Sequence, residues 1–259
     1  MQEYDINDFR KMSISSVYFN DEIKIKSIKN LEYEYIKLDK NVGYWITDCP
    51  FVDGSFIKYM EFVKSNPIWR MNNEYDLEDT NPFATIHLPD FSTRPLFNLL
   101  YQFYSSTIGY NKDVSVNDWG NIYFKEHSRP IKRWRLPHMD YVSGLVANLW
   151  FTNHDINSTG TNLYFYKGVT HGINYDFQVN ESHPLYKEWH NMKSKDRDIK
   201  WNNFSIDEAN YWGFELLGKA PTKYSCMTMY YPNISHAPFI EDDIKFRWSH
   251  TFSCFSNFL

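Results

Sequence analysis

From residue 114 to the end of the sequence, the chain is composed of short apolar and alternating segments separated by turn residues. This feature constrains the fold more than any other. Segments near 120–126, 136–142, 144–152, 161–167, 223–231 and 244–254 are rich in β-branched and aromatic residues and read as strands. Aromatic residues make up 19% of the chain, a loading that suits a β-rich interior, because flat rings pack well on pleated surfaces. Two helical segments interrupt the series. One runs from Pro184 to about Lys195. The other follows Ser205, where Ser205, Ile206, Asp207 and Glu208 match a capping box leading into Ala209 to Leu217.

Ahead of this region, Val42 to Thr47 reads as a strand. Asp53-Gly54 then opens a helix whose apolar positions Phe56, Ile57, Met60 and Val63 fall at helical spacing. A second helix is expected from Ser92 to Ile108, with Pro95 early and Leu96, Leu99, Leu100 and Phe103 as its apolar stripe. Residues 1–40 are polar with short β-like pieces and are expected to be an extension packed on a single domain of residues 41–259. The expected class is mainly β with flanking helices (α+β). A double-stranded β-helix, the jelly roll of the cupins, fits this order, with a helical insertion at about 168–222. An ordinary β-sandwich fits the periodicity equally well.

The charge pattern excludes some functions. Net charge is −5, and the densest basic stretch, Lys132, Arg133 and Arg135, is too short for a nucleic-acid footprint. No run of apolar residues is long enough for a membrane helix. Met1 to Arg10 has no apolar core of a signal peptide, and Cys49, Cys226 and Cys254 are odd in number and widely spaced. A cytoplasmic protein with reduced thiols is expected.

The chemistry-bearing residues lie in two places. His138-Met139-Asp140 ends an expected strand, and residues two apart in a strand share a face, so an imidazole and a carboxylate can reach one ion. Alone, this spacing is worth little: about one His-x-acid match is expected by chance in such a composition. The second place is His236, which follows a β segment, with Arg247-Trp248-Ser249 eleven residues further on. A buried Arg needs a partner, and a guanidinium grips a carboxylate in bidentate fashion. Ser249 shares the face of Arg247 and adds a hydroxyl. A structural pairing of Arg247 with Asp242 or Asp243 is the competing reading.

In this order, His138-x-Asp140, distal His236 and Arg247-x-Ser249 resemble the Fe(II)/2-oxoglutarate-dependent dioxygenases, in particular their prolyl-hydroxylase-like branch. Gly160 to Tyr166 is similar to the strand that follows the metal-bearing one in that superfamily, and Val42 to Phe51 to the strand and turn that open many of its domains. The resemblance covers about residues 42–255. It implies that His138, Asp140 and His236 bind Fe(II), leaving three positions open for 2-oxoglutarate and O2. It also implies that Arg247 and Ser249 hold the far carboxylate of 2-oxoglutarate. Tyr123 falls where relatives often hydrogen-bond that carboxylate, though a core Tyr would stand there equally well. An intact carboxylate at Asp140 favours hydroxylation over halogenation, since related halogenases have Gly or Ala at that position.

Among the other histidines, His171 is the best rival for the distal ligand, but no Arg-x-Ser follows it. His154 lies in a polar loop, and His250 points to the strand face opposite Arg247 and Ser249. The 168–222 stretch reads as a lid or as a helical prop, and Lys132 to Arg135 as an anion grip or a solvated loop. The expected substrate is a small molecule or peptide, with an amino acid or peptidyl side chain oxidised. The alternative is a cupin-type metal protein with no use for 2-oxoglutarate, and Arg247-x-Ser249 is the feature that separates the two.

Overall fold

A computed structural model describes residues 23–39, 42–65, 70–71, 83–87, 90–108, 114–115, 121–126, 137, 143–167, 186–193, 196, 206–231, 233–240 and 246–256. The strands are β1 Tyr33–Asp39, β2 Val42–Thr47, β3 Arg70–Met71, β4 Phe83–His87, β5 Val114–Ser115 and β6 Asn121–Glu126. They continue as β7 Ser143–Trp150, β8 Thr159–Tyr166, β9 Phe214–Pro221, β10 Met227–Tyr230, β11 Ser235–Ile240 and β12 Phe246–Ser256. The helices are α1 Ser55–Ser65, α2 Asp90–Phe103, α3 Tyr186–Asn191 and α4 Ile206–Tyr211. The class is mainly β with a few helices, as the sequence implies.

Among the described residues the strands form two sheets. The large one has the order β1-β2-β10-β7-β12-β6-β4-β3, with β5 also on β12, and the small one β11-β8-β9. All the pairings are antiparallel.

Alternation along the strands separates two cores on the two faces of the large sheet. On the outer face, Leu145, Ala147 and Leu149 of β7, Met227 and Met229 of β10, and Phe252 and Cys254 of β12 meet α1 and α2. The α2 stripe of Leu96, Phe97, Leu99, Leu100 and Phe103 is almost wholly buried. Phe97 sets its ring edge against Phe252 at 5.6 Å. Burying each such side chain contributes about 1.5–3 kcal/mol. On the inner face, Val42, Tyr44, Val146 and Tyr230 pack on Leu163 and Ala220 of the small sheet.

The helices expected after Asp53-Gly54 and across Ser92 to Ile108 are present. Gly54 takes φ +76° in the turn before α1, a conformation that favours glycine. After Phe103 the coil widens into a π-helical turn, Tyr104–Ile108. Tyr33–Asp39 pairs with β2 through the register Tyr33↔Thr47 to Asp39↔Val42 and so continues the large sheet. The helix expected from Ala209 to Leu217 is corrected. It stops at Tyr211, Gly213 takes φ +90°, and Phe214–Pro221 is a strand on β8. A glycine in the left-handed region just past a helix ends it. The last residues of the expected 168–222 insertion therefore belong to the small sheet. The expected strand 136–142 lies outside the described residues apart from Pro137, which is buried.

Candidate functional site

His236 is the second residue of β11 and stands opposite Leu163 of β8. Directly opposed residues in an antiparallel pair share a face. Leu163 belongs to the core between the sheets, so His236 is on the inner face too. It is 6% exposed, and its ring lies 4.9 Å from that of Tyr230. The sequence places this residue after a strand, whereas the structure places it within one. Pro238 sits in the same strand, which is tolerated because β11 is an edge of the small sheet among the described residues.

His236 Nδ1 meets the Ile234 carbonyl oxygen at 2.8 Å. A carbonyl only accepts, so Nδ1 carries the proton and donates. In the neutral ring, Nε2 then holds the lone pair, the tautomer a metal-binding imidazole needs.

β12 carries the second half of the site. It pairs with β6 and β7 at once, so Ser249 stands opposite both Tyr123 and Trp150. Ser249 is 2% exposed. Arg247 is paired with Lys125 and lies two positions from Ser249, hence on the same strand face. Tyr123 and Ser249 thus stand opposite one another in the register of β6 and β12, with Arg247 two positions along the backbone of β12. His138 and Asp140 lie outside the described residues, as do His171 and Lys132 to Arg135. Among the described residues no group of three or more His, Cys, Asp or Glu side chains is placed to hold a metal.

The structure adds residues that the sequence reading passed over. The Thr251 hydroxyl donates to Asn148 Oδ1 at 2.6 Å. The Trp150 indole N–H donates to Thr228 Oγ1 at 2.9 Å. With Ser249 and Ser253, these give the inner face of β12, β7 and β10 a run of polar groups beside the apolar core, buried except for the half-buried Thr251. The signal is present in the sequence: Arg247, Ser249, Thr251 and Ser253 alternate strictly with Trp248, His250, Phe252 and Cys254.

His250 points the other way, as expected. It is fully buried on the helix face, where Nδ1 meets the Tyr59 hydroxyl at 2.7 Å. Burial pushes its pKa down to about 3, so it stays neutral. His154 lies in the loop after β7, half-buried, and its backbone N–H donates to the Thr222 carbonyl at 3.3 Å.

No protein-family model and no curated protein sequence matches this chain. Solved structures do. The non-haem alpha-ketoglutarate-dependent epimerase SnoN from nogalamycin biosynthesis aligns at a TM-score of 0.52 with 9% identity, over 84% of this chain and 80% of that one. HygX from Streptomyces hygroscopicus, with nickel, 2-oxoglutarate and hygromycin B bound, aligns at 0.50 with 9% identity over 84% of both chains. SnoN in complex with Fe3+, alpha-ketoglutarate and nogalamycin RO gives 0.50 at 10% identity, over 84% and 80%. The chain shares the fold of these proteins. None of the described helices is long and apolar enough to cross a membrane.

Proposed function

We propose that this chain is a non-haem Fe(II) and 2-oxoglutarate-dependent oxygenase, related to the prolyl-hydroxylase-like branch and wound as a double-stranded β-helix. The observation that carries the reading is His236. It is buried between the sheets, with Nδ1 donating to the Ile234 carbonyl, the arrangement of an imidazole that binds a metal through Nε2. The donor set fits a metal of this kind: His138 and Asp140 would complete two imidazoles and a carboxylate on one face of the ion. The strand order supports the winding, and the shared fold with SnoN and HygX supports the class.

Bound iron, with 2-oxoglutarate and O2, supplies the oxidation of an unactivated C–H bond, yielding succinate and CO2. The chain supplies the rest. Arg247 would grip the far carboxylate of 2-oxoglutarate with its fork of N–H donors, and Ser249 and Tyr123 would add hydroxyl donors. The buried Ser249, Trp150 and His236 keep water from the space between the sheets. Asp140 favours hydroxylation over halogenation.

The substrate in this reading is an amino acid or peptidyl side chain, or another small molecule, taken in the cytoplasm without nucleic acid or membrane. That the SnoN and HygX structures hold nogalamycin RO and hygromycin B supports the small-molecule arm.

The test is spectroscopic. Under anaerobic conditions the full chain with Fe(II) and 2-oxoglutarate should give a visible charge-transfer band. His236→Ala should abolish the band and His171→Ala should spare it. No band, and no succinate in air with amino acids or peptides, would leave the metal protein without 2-oxoglutarate as the answer. Loss of the band in His171→Ala alone would move the distal ligand to His171.

A further inference from the structure

Among the described residues, β1 closes one edge of the large sheet. Its backbone polar groups can be sorted one by one. Continued by one residue, the register Tyr33↔Thr47 sets Glu32 opposite Asp48, and the Asp48 N–H donates to the Glu32 carbonyl at 3.0 Å. In an antiparallel ladder, residues that exchange backbone bonds alternate with residues whose N–H and C=O point the other way. Glu32, Glu34 and Ile36 are therefore bonded towards β2. Tyr33, Tyr35 and Lys37 turn their N–H and C=O groups to the open edge. The strand is exposed or half-buried along its length, with Tyr33 at 47% and Tyr35 at 41%. Three donors and three acceptors in a row are a template for another strand.

Edges of this kind are usually blunted by charge or by a bulge. Here the register shift lies between Lys37 and Asp39 and leaves Tyr33 to Lys37 regular, a stretch centred on Tyr35. A second copy running antiparallel, with Tyr35 opposite Tyr35 on a twofold axis, sets Tyr33 of each chain opposite Lys37 of the other. All three open N–H groups and all three carbonyls of both chains are then paired. Directly opposed residues share a face, so two tyrosines meet at the centre and a lysine lies beside a tyrosine ring at each end, a favourable cation–π pairing. The neighbouring registers are worse. Centring on Glu34 opposes two carboxylates and centring on Lys37 two ammonium groups, and like charges directly opposite destabilise a pair. Centring on Ile36 brings the bulge into the ladder.

We propose that β1 is a dimerisation edge, taking β1 of a second copy of this chain antiparallel in the register Tyr35↔Tyr35. The pairing joins two large sheets edge to edge in a closed, isologous dimer. A contact between two strands is small beside a standard interface, so the dimer is weak and its population depends on concentration.

The experiment follows the full chain by analytical ultracentrifugation from micromolar to near-millimolar concentration, with amide hydrogen exchange read at both ends of the range. Dimer should form as concentration rises. The amides of Tyr33, Tyr35 and Lys37 should slow with it, while those of Glu34 and Ile36 are protected throughout. Tyr33→Lys sets two ammonium groups opposite one another at each end of the pairing and should weaken the dimer by about tenfold. Adding Lys37→Glu to that variant should restore it, because positions 33 and 37 of one chain are about 13 Å apart and meet only across the axis. Tyr35→Pro removes the central N–H, a change that an edge strand tolerates, and should abolish the dimer while the monomer stays folded. A monomer at every concentration overturns the proposal. So does a dimer whose slowed amides lie elsewhere, or one that Tyr33→Lys leaves at wild-type strength. Should a variant fail to fold, the exchange pattern of the wild type decides alone.

Discussion

His250 should make this protein acid-sensitive in a way one substitution removes. The ring is fully buried between β12 and α1, and burial lowers its pKa from the ordinary 6.5 to about 3. The unfolded chain, with an ordinary histidine, binds a proton below pH 6.5 that the folded chain refuses until about pH 3. Stability is therefore undiminished above pH 6.5 and is lost as the pH falls through the window from 6.5 towards 3. At 1.36 kcal/mol per unit, the two units between 6.5 and 4.5 correspond to about 2.7 kcal/mol. The perturbation is His250→Gln, which cannot titrate and retains a polar atom for Tyr59. Urea unfolding at pH 7.5 and 4.5 measures the effect. The wild type should lose about 2.7 kcal/mol more than the variant across that interval. Parallel losses in the two proteins would refute the buried neutral ring.

Removing the other half of the pair, in Tyr59→Phe, leaves His250 Nδ1 buried without its hydroxyl partner. The expected cost is about 1–3 kcal/mol in urea unfolding at pH 7.5. A double-mutant cycle with His250→Gln should show that the two losses do not add. Gly160 lies where β8 meets β9, and a Cβ there would come 2.5 Å from the Ala220 carbonyl oxygen. Gly160→Ala should therefore lower the melting temperature by several degrees, with a destabilisation of about 1–3 kcal/mol.

How far the fold could be read from the sequence depended on how each segment meets water. The α2 stripe of Leu96, Leu99, Leu100 and Phe103 was legible because one side of the helix is buried and the period shows. β7 and β12 were legible because they are long and apolar. β1 was less so: its residues are mostly exposed, and an edge strand bearing Glu34, Lys37 and Asp39 has no clean alternation. β11 is short and holds Pro238, which breaks the pattern of a central strand though not of an edge. β9 was taken for the continuation of a helix, although Gly213 carried the stop signal. In the candidate site, Ser249 and His236 were marked by spacing, and Tyr123 by its place ahead of His138-x-Asp140. Asn148 carried no such mark. Its neighbours along β7 are apolar, and only the register with Thr251 shows that it shares a face with Ser249.

β12 serves two masters through its pleat. Among its described side chains, Ser249, Thr251 and Ser253 carry hydroxyls on one face, and His250, Phe252 and Cys254 fill the space against the helices on the other. Inserting or deleting one residue within it would exchange the faces beyond that point, sending hydroxyls into the aromatic core and Phe252 into the site. Length changes should therefore accumulate in relatives between β11 and β12 rather than inside β12. In an alignment of homologues, an unbroken block over Arg247–Cys254 beside a connection of variable length would be the evolutionary trace of this two-sided strand.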